Sequence, residues 1–158
     1  MPGKLQNKVA IVTGGNSGIG EATVHLFAEE GAKVAIMARR EEQGEAVQNA
    51  VRDQGGIAEF IRCDVTEPQE ISAAVEKVVE VFGGVDVLFN NAGTGGPESF
   101  PEESREQWDN IIDVNLNGVF EMSTKVWPYM VERGGGAIVN MSSGAAVMGY
   151  TLFLKGIL

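Results

Sequence analysis

The sequence predicts an α/β fold: a doubly wound parallel sheet of about five strands in the order 3-2-1-4-5, covered by helices on both faces. Three observations lead there. Short apolar runs alternate with longer segments whose apolar residues recur every three or four positions. The apolar runs lack strict alternation, as strands buried on both faces do. No repeat, low-complexity tract or linker divides the chain, so residues 1–158 read as one domain.

Taken in order, the strand candidates are Val9 to Val12, Lys33 to Ala38, Ala58 to Arg62, Val85 to Asn90 and Ala137 to Met141. Four helical stripes lie between them. Ile19, Ala22, Thr23, Leu26 and Phe27 form the first, and Ala46, Val47, Ala50 and Val51 the second, stopped by Gly55-Gly56. Ile71, Ala74, Val75, Val78, Val79 and Phe82 make the third, with Thr66-Glu67-Pro68-Gln69 fitting a capping box ahead of it. Ser104-Arg105-Glu106-Gln107 opens the fourth in the same way. There, counting on from Trp108, Ile111 and Ile112 points Asn115 inward, and a buried amide needs partners. Trp127-Pro128-Tyr129 reads as core and helix-end packing, and His25, off the first stripe, as solvent-facing.

Composition excludes several roles. Twenty-two acidic against twelve basic residues give a net charge of −10, which repels phosphate backbones and anionic lipid. Nucleic acid and membrane are therefore not the expected partners, and no apolar stretch approaches a membrane span. One histidine and one cysteine make no convincing metal set. Cys63 allows no internal disulfide; its apolar setting predicts a buried, inert thiol and a reducing cytoplasm.

The chemistry gathers at the end of the first strand. Thr13-Gly14-Gly15-Asn16-Ser17-Gly18-Ile19-Gly20 follows it and opens the first helix. Glycines there permit a tight turn and close backbone approach, and amides at a helix start attract a diphosphate. A turn that merely packs strand on helix has the same composition.

The spacing Gly-x-x-x-Gly-x-Gly behind Thr13 resembles the TGxxxGxG of the short-chain dehydrogenase/reductase family, and Asn90-Asn91-Ala92-Gly93 resembles its NNAG element. The resemblance runs from about Lys4 to about Ser143. It implies a Rossmann-like dinucleotide-binding domain and an oxidoreductase moving hydride between NAD or NADP and a small carbonyl or secondary alcohol. Gly14, Asn16, Ser17, Gly18, Ile19 and Gly20 would then cradle the diphosphate, with Asn91, Ala92 and Gly93 beside the cofactor. Asp64 and Val65 match the family's adenine-contacting pair. Ala38 followed by Arg39-Arg40, in place of an acid, suits a 2′-phosphate and favours NADP over NAD, although Asn16-Ser17 lacks the basic residue many NADP-using relatives carry. Asn115, in Asn-x-x-x-Val-Phe, matches the asparagine that holds a water in the proton relay, and Ser143 the catalytic serine.

The match departs near the end. The family's Tyr-x-x-x-Lys would put its tyrosine at 156, which is Gly156. Tyr150 and Lys155 are the nearest candidates for the acid/base pair; five apart, they leave a common helix face. Leu154 to Leu158 resembles the start of the family's next helix, as if a short piece around the tyrosine were missing and the chain stopped early. Two consequences are expected: an open apolar edge at the fifth strand that favours a homo-oligomer, and an alternative role as a catalytically impaired dinucleotide-binding or oligomerising fragment.

Overall fold

The computed structural model describes residues 3–95 and 104–144. Among them, β1 (Val9–Thr13), β2 (Lys33–Ala38), β3 (Ile57–Arg62), β4 (Val87–Asn90) and β5 (Ala137–Asn140) form one sheet in the order β3-β2-β1-β4-β5. All four pairings are parallel, with Val9 opposite Lys33 and Leu88 opposite Ile138. This is the predicted topology.

The sheet is covered on one face by α1 (Gly18–Glu29) and α2 (Glu41–Asp53) and on the other by α3 (Pro68–Phe82) and α5 (Gly118–Glu132), while α4 (Arg105–Ile112), with no buried residue, leads into α5. Every residue of β1 is buried, and its side chains alternate between two cores. Val9 and Ile11 join Ile71, Val75, Val78, Met122 and Val126 under α3 and α5. Ala10 and Val12 join Val24, Val47 and Val51 under α1 and α2. A strand that feeds two cores must be apolar throughout, which explains the unbroken run.

Helix faces depart from the sequence reading in several places; Ala46 of the second stripe and Trp108 of the fourth are exposed. On α1 the buried residues are Gly20 and Val24, with Phe27 and Ala28 packed beside them, while Ile19 and Leu26 are exposed. Gly20 sets this rotation: a Cβ there would fall on the Gly14 carbonyl oxygen, so this glycine brings the helix against β1's turn. His25 is half-buried as a result. On α5 the core face is Gly118, Met122, Val126 and Met130, so Trp127, one step round, is exposed, contrary to its reading as core. Tyr129 does pack against the core.

Caps divide likewise. Ser104 forms the predicted box, its Oγ accepting the Gln107 N–H at 3.1 Å and Gln107 Oε1 accepting the Ser104 N–H at 2.7 Å. The expected box at Thr66 does not form. Glu67 is the N-cap of α3, and the Thr66 hydroxyl and N–H both donate to Asp64 Oδ1. That local turn engages Thr66 before the helix can use it.

The far end of the sheet is held by Asp86. Its carboxylate accepts Arg133 Nε at Oδ1 and Nη2 at Oδ2, both at 3.0 Å, and the Val9 N–H at 2.8 Å, with Lys8 Nζ 3.5 Å away. One buried carboxylate thus ties β1, β4 and the turn into β5. Among the described residues no helix is long and apolar enough to cross a membrane.

Candidate functional site

The carboxyl ends of β1 to β4 surround a cavity of about 320 Å³. It lies where the chain order reverses, β1 leading one way to β2 and β3 and the other way to β4 and β5, the place at which such sheets open a crevice.

The β1–α1 turn forms one wall through Gly14, Asn16 and Ser17. Gly14 and Gly18 take positive φ, +64° and +55°, conformations that side chains disfavour. Nothing lies within 4 Å of where a Cβ on Gly18 would stand, so that backbone is open to a ligand. Ser17 is the N-cap of α1, yet its hydroxyl accepts Arg40 Nη2 at 3.1 Å and does not cap the first turn. Asn16 is buried and donates to Gln43 Oε1 at 3.2 Å. Gly18, Ile19 and Gly20 begin α1 and are not in the cavity wall.

Thr13, read from sequence only as the residue ahead of the glycines, is the knot of the site. Its buried hydroxyl accepts the N–H groups of Asn91 and Ala92, each at 3.0 Å. The Asn91 side chain returns the contact, donating to the carbonyls of Thr13 and Gly14 at 3.0 and 3.3 Å. Asn91, Ala92, Gly93 and Thr94 form the opposite wall.

Beyond β2 and β3 lie Arg39, Arg40, Asp64 and Val65. Arg39 Nη1 stands 3.6 Å from Asp64 Oδ2. Burial pushes the Asp64 carboxyl up, but the two Thr66 hydrogen bonds and the Arg39 guanidinium outweigh it and hold the carboxyl below its ordinary value. Cys63, also in the wall, is buried; loss of solvent, with Glu70 and Asp64 adding to it, pushes its thiol up to about 12. That thiol stays protonated at neutral pH, as the inert reading expects.

Asn115 corrects an expectation. It is exposed, and its neighbour Val114 is the buried residue that reaches the cavity. Between α4 and α5, Asp113–Asn117 form a π-helical turn, whose wider i to i+5 winding breaks the 100° count made from Trp108. The amide does find partners: Oδ1 accepts the Thr94 N–H and Nδ2 donates to the Thr94 carbonyl, each at 2.8 Å. Ser143 follows β5 at the same edge of the sheet. Tyr150 and Lys155 lie outside the described residues.

Residues 8–154 match the family model described as short chain dehydrogenase. An uncharacterized oxidoreductase of Thermotoga maritima is 42% identical over 142 residues, covering 90% of this chain and 56% of that protein. The 2,5-dichloro-2,5-cyclohexadiene-1,4-diol dehydrogenase LinX of Sphingobium indicum is 43% identical over 143 residues, covering 90% and 57%. The crystal structure of NAD+-bound xylitol dehydrogenase superposes with a TM-score of 0.89 at 34% identity, over 93% of this chain and 57% of that one. The chain thus spans little more than half the length of these relatives.

Proposed function

The chain belongs to the short chain dehydrogenase family, and from that premise we propose that residues 1–158 are one dinucleotide-binding domain of a nicotinamide-dependent oxidoreductase acting on a carbonyl or secondary alcohol. The β1–α1 turn carries the reading: Gly14 and Gly18 hold positive φ, and the open backbone at Gly18 adjoins a cavity at the sheet's carboxyl edge. The residues fit the group. Amides of Gly14 to Gly20 would receive the diphosphate, Asp64 and Val65 the adenine, and Asn91 to Gly93 the inner side of the cofactor. Ala38 and the basic pair Arg39-Arg40, standing at the end of β2 in place of an acid that would take a 2′-hydroxyl, support NADP over NAD.

Bound there, the nicotinamide would supply or accept the hydride. Ser143 would donate a hydrogen bond to the substrate oxygen as its charge develops. Asn115 would keep Thr94 in place at the cavity wall, and Tyr150 with Lys155 would move the proton. An exposed apolar stripe, Leu116 in the π-helical turn and Phe120, Trp127 and Val131 along α5, together with Val139 on β5, supports self-association.

The test is an NADPH fluorescence titration, in which Gly18→Trp abolishes binding and a surface substitution does not. NADPH consumption with a panel of ketones and aldehydes tests catalysis. Turnover lost in Tyr150→Phe keeps Tyr150 in the mechanism, and turnover unchanged removes it.

A further inference from the structure

The backbone that follows β3 is held from three elements. The Cys63 N–H donates to the Ala38 carbonyl of β2 at 3.1 Å, and the Val65 carbonyl packs against Gly118 of α5, 2.8 Å from where a Cβ would stand. Between them, the Asp64 N–H donates to Glu70 Oε2 at 2.9 Å. Asp64 lines the cavity and Glu70 does not; Glu70 stands in the first turn of α3 and reaches back to the Asp64 peptide from behind the wall.

Glu70 is itself fixed. Arg62, the last residue of β3, places Nη1 2.9 Å from its Oε1 and 3.0 Å from its Oε2. The Asp64 N–H and the Arg62 guanidinium hold the Glu70 carboxyl below its ordinary value, and the amino end of a helix favours a negative charge there too. An ionised acceptor makes the stronger hydrogen bond to a peptide N–H, so the direction in which Asp64 leaves the chain is set from α3. The Asp64 side chain is half engaged. Its Oδ1 accepts the N–H and the hydroxyl of Thr66, at 3.0 and 2.9 Å. Its Oδ2 has Arg39 Nη1 at 3.6 Å and keeps lone-pair capacity for a further donor.

Resting on the dinucleotide reading above, we infer that Glu70, clamped by Arg62, is a positioning residue for recognition of the base: it aims Asp64 Oδ2 at the exocyclic amino group of adenine. Hypoxanthine carries a carbonyl oxygen in place of that amino group and would set acceptor against acceptor. The preference for adenine over hypoxanthine therefore reads the aim of Asp64, which a change in stability alone does not move.

The experiment measures Kd for NADH and NADPH, each beside its hypoxanthine counterpart, on the full 158-residue chain and on Glu70→Ala, Glu70→Gln and Arg62→Met, with thermal midpoints as a folding control. The parent chain is expected to prefer adenine about tenfold or more. In Glu70→Ala the adenine dinucleotides weaken about three- to tenfold and the hypoxanthine ones by less than about twofold, so the preference falls. Glu70→Gln, whose amide oxygen still accepts the Asp64 N–H, keeps most of it, and Arg62→Met falls between. If Glu70→Ala weakens adenine and hypoxanthine dinucleotides alike, or leaves both unchanged, the positioning role is overturned while dinucleotide binding stands. Should Glu70→Ala not fold, Arg62→Met decides by the same ratio. A parent chain that binds both bases equally overturns the adenine contact of Asp64 and this role with it. Binding of none of the four nucleotides overturns the dinucleotide reading itself.

Discussion

Asn115 grips the backbone of Thr94 with both ends of its amide, 2.8 Å on each side, across 21 residues of chain. The π-helical turn places it there, and Thr94 is part of the cavity wall. Removing the amide in Asn115→Ala costs two neutral hydrogen bonds at an exposed site, where water can substitute, so stability is expected to fall by about 1 kcal/mol. NADPH affinity is expected to fall further in proportion, about three- to tenfold. Urea melts beside a nucleotide titration check this; affinity unchanged in a destabilised variant would show that the clamp is structural alone.

Thr13→Val keeps the shape of the side chain and deletes the acceptor shared by Asn91 and Ala92. Two backbone donors beside a fully buried side chain then lose their partner. We expect a loss of about 2–3 kcal/mol by urea denaturation, with Thr13→Ser largely restoring it because the hydroxyl returns.

Gly20 and Gly18 are predicted to respond differently to alanine. At Gly20 a Cβ meets the Gly14 carbonyl and the Asn91 amide, so α1 must move off the turn. That overpacking is expected to cost about 1–3 kcal/mol and to abolish nucleotide binding. At Gly18 the Cβ has open space and the cost is that of positive φ alone, about 1 kcal/mol. Equal losses of binding in the two variants would contradict this division.

The Asp86 carboxyl is pushed up by burial, but Arg133, the Val9 N–H and Lys8 outweigh that and hold it below its ordinary value. The unfolded chain therefore takes up a proton here before the folded chain does as pH falls. Its stabilisation is whole above the ordinary value of about 4 and is lost as the pH drops through the lowered one. Asp86→Asn should flatten the acid limb of a stability profile between about pH 5 and 2. Arg133→Met, which strands a buried carboxylate with Lys8 alone for a cation, should cost about 2–4 kcal/mol at pH 7.

Self-association predicts sedimentation above the monomer mass at micromolar concentration. Along the π-helical turn and α5 the exposed large apolar residues are symmetric about Ser123 and Thr124, Phe120 matching Trp127 and Leu116 matching Val131, an arrangement that suits two antiparallel copies. Trp127→Glu should shift the boundary toward monomer; a parent chain that sediments as a single monodisperse monomer would count against the proposal.

Much of this was legible in the residues. Apolar runs without alternation marked the five strands, and the glycine turn between β1 and α1 marked the cavity they open. Pairings were not legible, because they join residues far apart in the chain: Thr13 meets Asn91 across 78 positions, and Arg133 meets Asp86 across 47. Asp86 sat unremarked inside a strand candidate, its acidity the one available signal. The rotations of α1 and α5 escaped for a related reason. Gly20 and Gly118 carry no apolar side chain to count, yet each marks a close approach, Gly118 against Val65.

The order of strands and helices, and the edge at which they open, followed from the sequence by itself, since burial on one or two faces leaves a period of two, a run, or a period near 3.6 in the chain. Which neighbour each polar group meets was decided only by tertiary structure. Adjacent Arg39 and Arg40 are chemically alike in the chain and become different residues only because β2 is flanked by Asp64 on one side and Ser17 on the other.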